Sequence, residues 1–175
     1  MEDKISNRPL YTYTSSLHLT FKAWPVIAAA TIGLCYLTQT VAGWMGITLP
    51  DQANIEIVKR YAGWNRTFLF LCAQILVLLP ALEELIFRYL LFRLPLKFIT
   101  HHSSLIITAA ISSLLFSAAH YIAQPWPDAA FLALFFFGLA QCWLYRKTQR
   151  LWCAILNHGL FNLTNLVLLF LLPET

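Results

Sequence analysis

The sequence predicts an all-α fold, a multi-pass membrane bundle of about five spanning helices. Three observations carry that prediction. Of 175 residues, 59% are hydrophobic and only 11% charged, whereas a soluble domain has roughly 45–50% and about 25%. The mean hydropathy is +0.64, so the chain lacks the polar surface to stay dispersed in water. The apolar residues also gather into five runs, each near the ~20 residues that cross ~30 Å of hydrocarbon. The length accommodates a single integral-membrane domain over residues 1–175, and no Gly/Ser linker or acidic run divides it.

The runs are Phe21–Trp44, Thr67–Leu94, Ser103–Ala123, Asp128–Tyr145 and Leu151–Leu172. Residues Met1 to Thr20 are polar and mixed, and no small-residue cleavage site follows the first run, so a removable signal peptide is not expected. Between the first two runs, Ile55, Val58 and Ala62 recur near helical spacing and predict a short interfacial helix. Pro125-Trp126-Pro127 makes the turn between the third and fourth. Cys35, Cys72, Cys142 and Cys153 all lie in apolar stretches without metal-ligand spacing and read as small packing residues.

Basic residues set the predicted orientation. Lys4, Arg8 and Lys22, then Arg93 and Lys97, then Arg146, Lys147 and Arg150 fall on one side of a five-span chain, against Lys59, Arg60 and Arg66 on the other. The positive-inside rule then places the N-terminus in the cytoplasm. The expected location is a cell membrane, taken as the bacterial inner membrane. The sequence pI of about 9.0 is accounted for by these topology determinants, so nucleic-acid binding is not expected.

Function is concentrated in the polar islands inside the runs, because ionisable groups are expensive in hydrocarbon. In the second run, Glu84 and Arg88 are four residues apart and share a helix face, acid first. Glu83 is turned about 100° away and is left without a counter-ion on its own helix. A buried carboxylate of that kind suits a general base. His120 closes the third run, with Phe116 one turn earlier and Ser113 and Ser117 beside it. His158 and Asn162 share a face of the fifth run, where two donors on a rigid surface can stabilise an oxyanion. Asn165, one turn on, reads as polar glue between helices, and His101-His102 as a solvated loop. Glu83, His120 and His158 also make a candidate zinc triad, the alternative to a metal-free site, although no His-x-x-x-His spacing supports it.

Glu83-Glu84-x-x-x-Arg88, Phe116-x-x-x-His120 and His158-x-x-x-Asn162, in that order, resemble the CAAX protease and bacteriocin-processing (CPBP, also called Abi) family of membrane proteins. The stretches Phe137-Gly138-Leu139-Ala140 and Leu151-Trp152-Cys153-Ala154-Ile155-Leu156-Asn157-His158 are similar to the same family. The resemblance runs roughly from Leu79 to Asn165 and marks residues 79–165 as the catalytic core. It implies a glutamate-dependent intramembrane endopeptidase without a cofactor. Glu83 and His120 would activate water, His158 and Asn162 would stabilise the oxyanion, and Glu84 with Arg88 and Phe116 would support the site between the second, third and fifth helices. No serine or cysteine is presented as a nucleophile. The implied substrate is a membrane-associated protein or peptide cut at a leader, a CAAX-like tail or a C-terminal sorting signal. A toxin immunity protein or a proton relay is the non-enzymatic alternative. Counting 1.5 Å per residue puts Glu83 and Asn162 about 16 Å from the predicted cytoplasmic helix ends, and His120 about 25 Å.

Overall fold

The computed structural model describes residues 12–49, 53–63, 65–98, 102–122 and 128–171, and these are helical with short connections. Helix α1, Tyr13–Trp44, begins before the apolar run does. Thr12 caps it, its hydroxyl accepting from the Ser15 amide. The polar first turns face inward: Ser16 and Thr20 are fully buried, and Thr20 donates to the Ser16 carbonyl at 2.9 Å. Hydropathy alone puts the start too late because it counts these buried hydroxyls as polar, although Thr20 satisfies its own on the helix backbone. The short helix α2, Ala53–Arg60, forms as expected with Val58 buried, while Ala62 lies beyond it and exposed.

Helix α3 runs over Arg66–Leu96 and is capped by Asn65, whose side-chain oxygen accepts from the Phe68 amide at 2.8 Å. It is not uniformly α-helical. Gln74–Leu78 and Leu85–Arg93 are π-helical, and Leu79–Glu84 between them is α-helical. Each π segment stops just before a Leu-Pro pair, Leu79-Pro80 and Leu94-Pro95. Proline has no N–H and its ring presses on the preceding turn, which a widened turn relieves.

Helix α4, His102–Ala119, packs most extensively on α5, Ala130–Thr148, and α6 spans Leu151–Leu171. Helix α5 ends at Gln149, which takes the left-handed conformation with φ 54°. The turn expected at Pro125-Trp126-Pro127 lies outside the described residues. Helices α1, α3 and α6 are long and apolar enough to cross a membrane. The apolar part of α4, Ser104–Ala119, is shorter, since the run expected to reach Ala123 leaves the helix at His120. Helix α5 has 19 residues and carries Arg146 and Lys147 in its last turn.

The core gathers Ala23, Ile27 and Ala28 of α1, Phe87 of α3, Phe116 of α4, Phe137 and Leu144 of α5 and Phe161 of α6. Outward-facing residues are also apolar: Ile106, Ile107, Ile111, Leu114 and Leu115 of α4 are all exposed. That inverts the soluble pattern and suits a lipid solvent.

Helices α4 and α5 approach so closely that a Cβ at Gly138 would lie 2.8 Å from Ser113 Cβ and 3.0 Å from its Cα. Gly138→Ala should therefore cost about 1–3 kcal/mol by overpacking. Thermal unfolding in detergent checks this, and an unchanged midpoint would contradict the close approach.

Candidate active site

The first π segment prepares the surface on which α6 docks. The Leu79 amide bonds back to the Gln74 carbonyl, the π-helical spacing. The next bond in that register would run from residue 80 to the Ile75 carbonyl, but Pro80 has no N–H. Asn162 supplies the missing donor, its side-chain N–H reaching Ile75 O at 2.8 Å. One turn earlier on α6, Gly159 sits against the neighbouring carbonyl. A Cβ there would lie 2.4 Å from Leu76 O. These two contacts seat α6 on the widened turn and carry His158 to the pair of glutamates that follows it.

Four ionisable side chains then form one chain of contacts. Arg88 Nε lies 3.1 Å from Glu84 Oε2, both side chains being fully buried. The contact is at ion-pair distance without hydrogen-bond alignment, and the guanidinium carbon lies 4.7 Å from the centroid of the Phe116 ring, a cation–π arrangement. His158 Nδ1 is 2.9 Å from Glu84 Oε1, and His158 Nε2 is 3.5 Å from Glu83 Oε2. The Glu83 side chain is 27% exposed, against 4% for His158. Glu83 was expected to lack a counter-ion on its own helix, and its partner here comes from another helix. Counting along α3 sees only intrahelical partners, whereas His158 arrives from α6.

Phe116, fully buried, is the hub of the site. Its ring lies 4.7 Å from that of His120, 5.8 Å from that of His158 and 5.4 Å from that of Phe87. His120 Nδ1 is 2.9 Å from the Phe116 carbonyl. A carbonyl only accepts, so Nδ1 carries the proton and a neutral ring keeps its lone pair on Nε2. Among the described residues His120 and Glu83 share no hydrogen bond or ion pair; the Phe116 ring contacts both His120 and His158, the partner of Glu83. These ring contacts place His120 and His158 on one shared ring, Phe116, whereas the linear depth count assumes straight helices starting in one plane.

The remaining polar residues divide clearly. Ser112, Ser113 and Ser117 donate to the carbonyls of Phe87, Ala109 and Phe131, which leaves each occupied with backbone. All four cysteines are free, with Cys142 and Cys153 buried. Asn165, expected as glue between helices, is exposed. Its neighbour Thr164 does that work instead, accepting from Trp24 Nε1 at 3.1 Å. His101 and the side chain of His102 lie outside the described residues. Among the described residues no group of three His, Cys, Asp or Glu side chains is disposed to hold a metal ion. Of the candidate zinc triad, Glu83 and His158 are in contact, at 3.5 Å, while His158 also meets Glu84 through Nδ1.

Removing Arg88 would strand the Glu84 charge in a low-dielectric interior, at roughly 3–5 kcal/mol. Arg88→Ala should lower both the amount of inserted protein and its thermal stability. Yield and melting equal to the parent would contradict a supporting role for the pair.

Residues 65–164 match the family model described as type II CAAX prenyl endopeptidase Rce1-like. That span holds Glu83, Glu84, Arg88, Phe116, His120 and His158 with Asn162, together with the π turn on which α6 is seated. No curated protein and no solved structure matches the chain. An all-helical membrane chain with this array, matched over more than half its length, belongs to the Rce1-like family of type II CAAX prenyl endopeptidases.

Proposed function

We propose that the protein is an intramembrane endopeptidase of the glutamic type, hydrolysing a peptide bond by activated water without a covalent intermediate. The observation that carries this reading is the position of Glu83. It is the partly exposed end of an otherwise buried charged chain, so it can meet water and substrate while His158 holds it from behind.

Charge balance assigns the parts. Arg88 and Glu84 offset each other, and Glu84 accepts the Nδ1 proton of His158. One further proton between His158 and Glu83 makes the four groups neutral overall, the arrangement least costly in a low dielectric. With that proton on His158, Glu83 is a carboxylate able to act as a base. A water donating to Glu83 and to His120 Nε2 loses a proton to Glu83 as its oxygen adds to the scissile carbonyl carbon. The site thereby gains one positive charge as the oxyanion forms, and His158 supplies that charge at close range. Collapse of the tetrahedral intermediate breaks the C–N bond, and Glu83 returns its proton to the leaving amine. Asn162 spends one N–H on Ile75, so its part is chiefly to seat α6, and its second N–H remains for the oxyanion.

The substrate class is a membrane-associated protein or peptide carrying a leader, a CAAX-like tail or a C-terminal sorting signal, by family analogy. Residues 79–165 form the catalytic core, and the membrane is the bacterial inner membrane with the N-terminus in the cytoplasm.

Mass spectrometry of membrane-protein termini, in hosts carrying the parent or Glu83→Gln at matched abundance, tests the reading. A precursor trimmed only by the parent is the expected result. Identical termini, with both forms inserted, would replace the protease by a relay or an immunity protein. The water-based mechanism also needs no metal, so 1,10-phenanthroline should leave the rate of trimming in isolated membranes unchanged. Loss of activity restored by added zinc would overturn that assignment.

A further inference from the structure

His120 sits where helix α4 gives out. The amides of His120, Tyr121 and Ile122 bond to the carbonyls of Ser117, Ala118 and Ala119, at 3.2, 3.0 and 3.3 Å. These are three-residue steps, tighter and weaker than α-helical bonds, and a final turn built from them frays readily. The catalytic reading, however, needs the His120 ring fixed against Phe116.

Two ties to α5 bracket that turn. Before His120, the Ser117 hydroxyl donates to the Phe131 carbonyl at 2.6 Å. After it, the Tyr121 hydroxyl donates to Asp128 Oδ1. The same Asp128 oxygen accepts from the Ala130 amide at 2.7 Å, in the first turn of α5. The Tyr121 ring lies 5.5 Å from the Phe131 ring. Asp128 is buried, at 8% exposure, and a carboxylate so placed needs its hydrogen bonds to be tolerated. Neither Tyr121 nor Asp128 belongs to the three motifs that mark the site.

We propose that Tyr121 and Asp128 form a positioning latch for His120, tying the last turn of α4 to the start of α5 so that the imidazole keeps one orientation. The inference rests on the reading of His120 as the second acceptor for the attacking water. Tyr121 and Asp128 touch neither water nor substrate in this account. They act by holding the Phe116–His120 turn, so their loss misplaces a reacting group rather than removing it.

Tyr121→Phe is the informative variant, because it keeps the ring on Phe131 and removes only the hydroxyl. With a prenylated CAAX-tailed peptide in proteoliposomes, kcat should fall about ten- to a hundredfold while KM stays within about twofold. Asp128→Asn, which retains an acceptor oxygen for both donors, should keep more activity than Asp128→Ala. A second readout needs no substrate. In [15N]histidine-labelled protein in nanodiscs, with His120 assigned by its loss in His120→Ala, the parent should give a single Nδ1–H tautomer. Tyr121→Phe should give a mixture. A parental kcat, or an unchanged His120 ring signal, in Tyr121→Phe would overturn the latch. If His120→Ala or Glu83→Gln leaves cleavage unaffected, or the parent does not cut this peptide, the catalytic reading is what fails. The ring signal then decides the latch alone.

Discussion

The structure is organised around the cost of charge in a low-dielectric interior. Glu84 and Arg88 are fully buried, and His158 nearly so. Such groups persist only when their charges are matched. In the reading proposed above, one shared proton lets the chain Arg88–Glu84–His158–Glu83 meet that requirement, and its contacts fix which helices must touch. Helix α3 brings both acids and the arginine, α6 must bring the histidine, and the Phe116 ring of α4 closes the assembly beneath the guanidinium. The same constraint gives the site its chemistry. On the proposed mechanism, a neutral array with one carboxylate at its exposed end takes up a proton at the moment a negative charge appears on the substrate.

Backbone irregularity makes the arrangement possible. In a straight α-helix the missing Pro80 N–H would free only the Leu76 carbonyl, whereas the π register frees that of Ile75. The π segment before Pro80 leaves the Ile75 carbonyl for Asn162 and lets the Leu76 carbonyl approach where only glycine fits, at Gly159. The second π segment, Leu85–Arg93, contains Arg88 and exposes the Phe87 carbonyl to Ser112 of α4. Local disorder of the hydrogen-bond ladder on α3 is thus exchanged for bonds to the two helices that carry the histidines, a use typical of π segments near functional sites.

Much of this was legible in the sequence. The apolar runs located the five long helices of the described residues, and the Glu84–Arg88 pairing and the shared face of Phe116 and His120 followed from helical spacing. What spacing does not reach is contact between helices. The partner of Glu83 is a histidine on another helix, and the partner of Asn162 is a carbonyl freed by a proline. Pro80 was a readable signal for that carbonyl, but only once the π register was known. The early start of α1 was hidden because buried hydroxyls look polar on a hydropathy scale. Asn165 went the other way: its periodicity matched that of His158 and Asn162, yet beyond Phe161 no residue of α6 is buried and Asn165 is exposed.

The central claim is that Glu83 rests as a carboxylate beside a doubly protonated His158. The infrared difference spectrum between the parent and Glu83→Gln, recorded in membranes at neutral pH, tests it directly. Loss of carboxylate stretching bands alone is the predicted result. Loss of a protonated carboxylic-acid carbonyl band would mean that Glu83 is a neutral acid in the resting protein, and the account of it as the base would be contradicted.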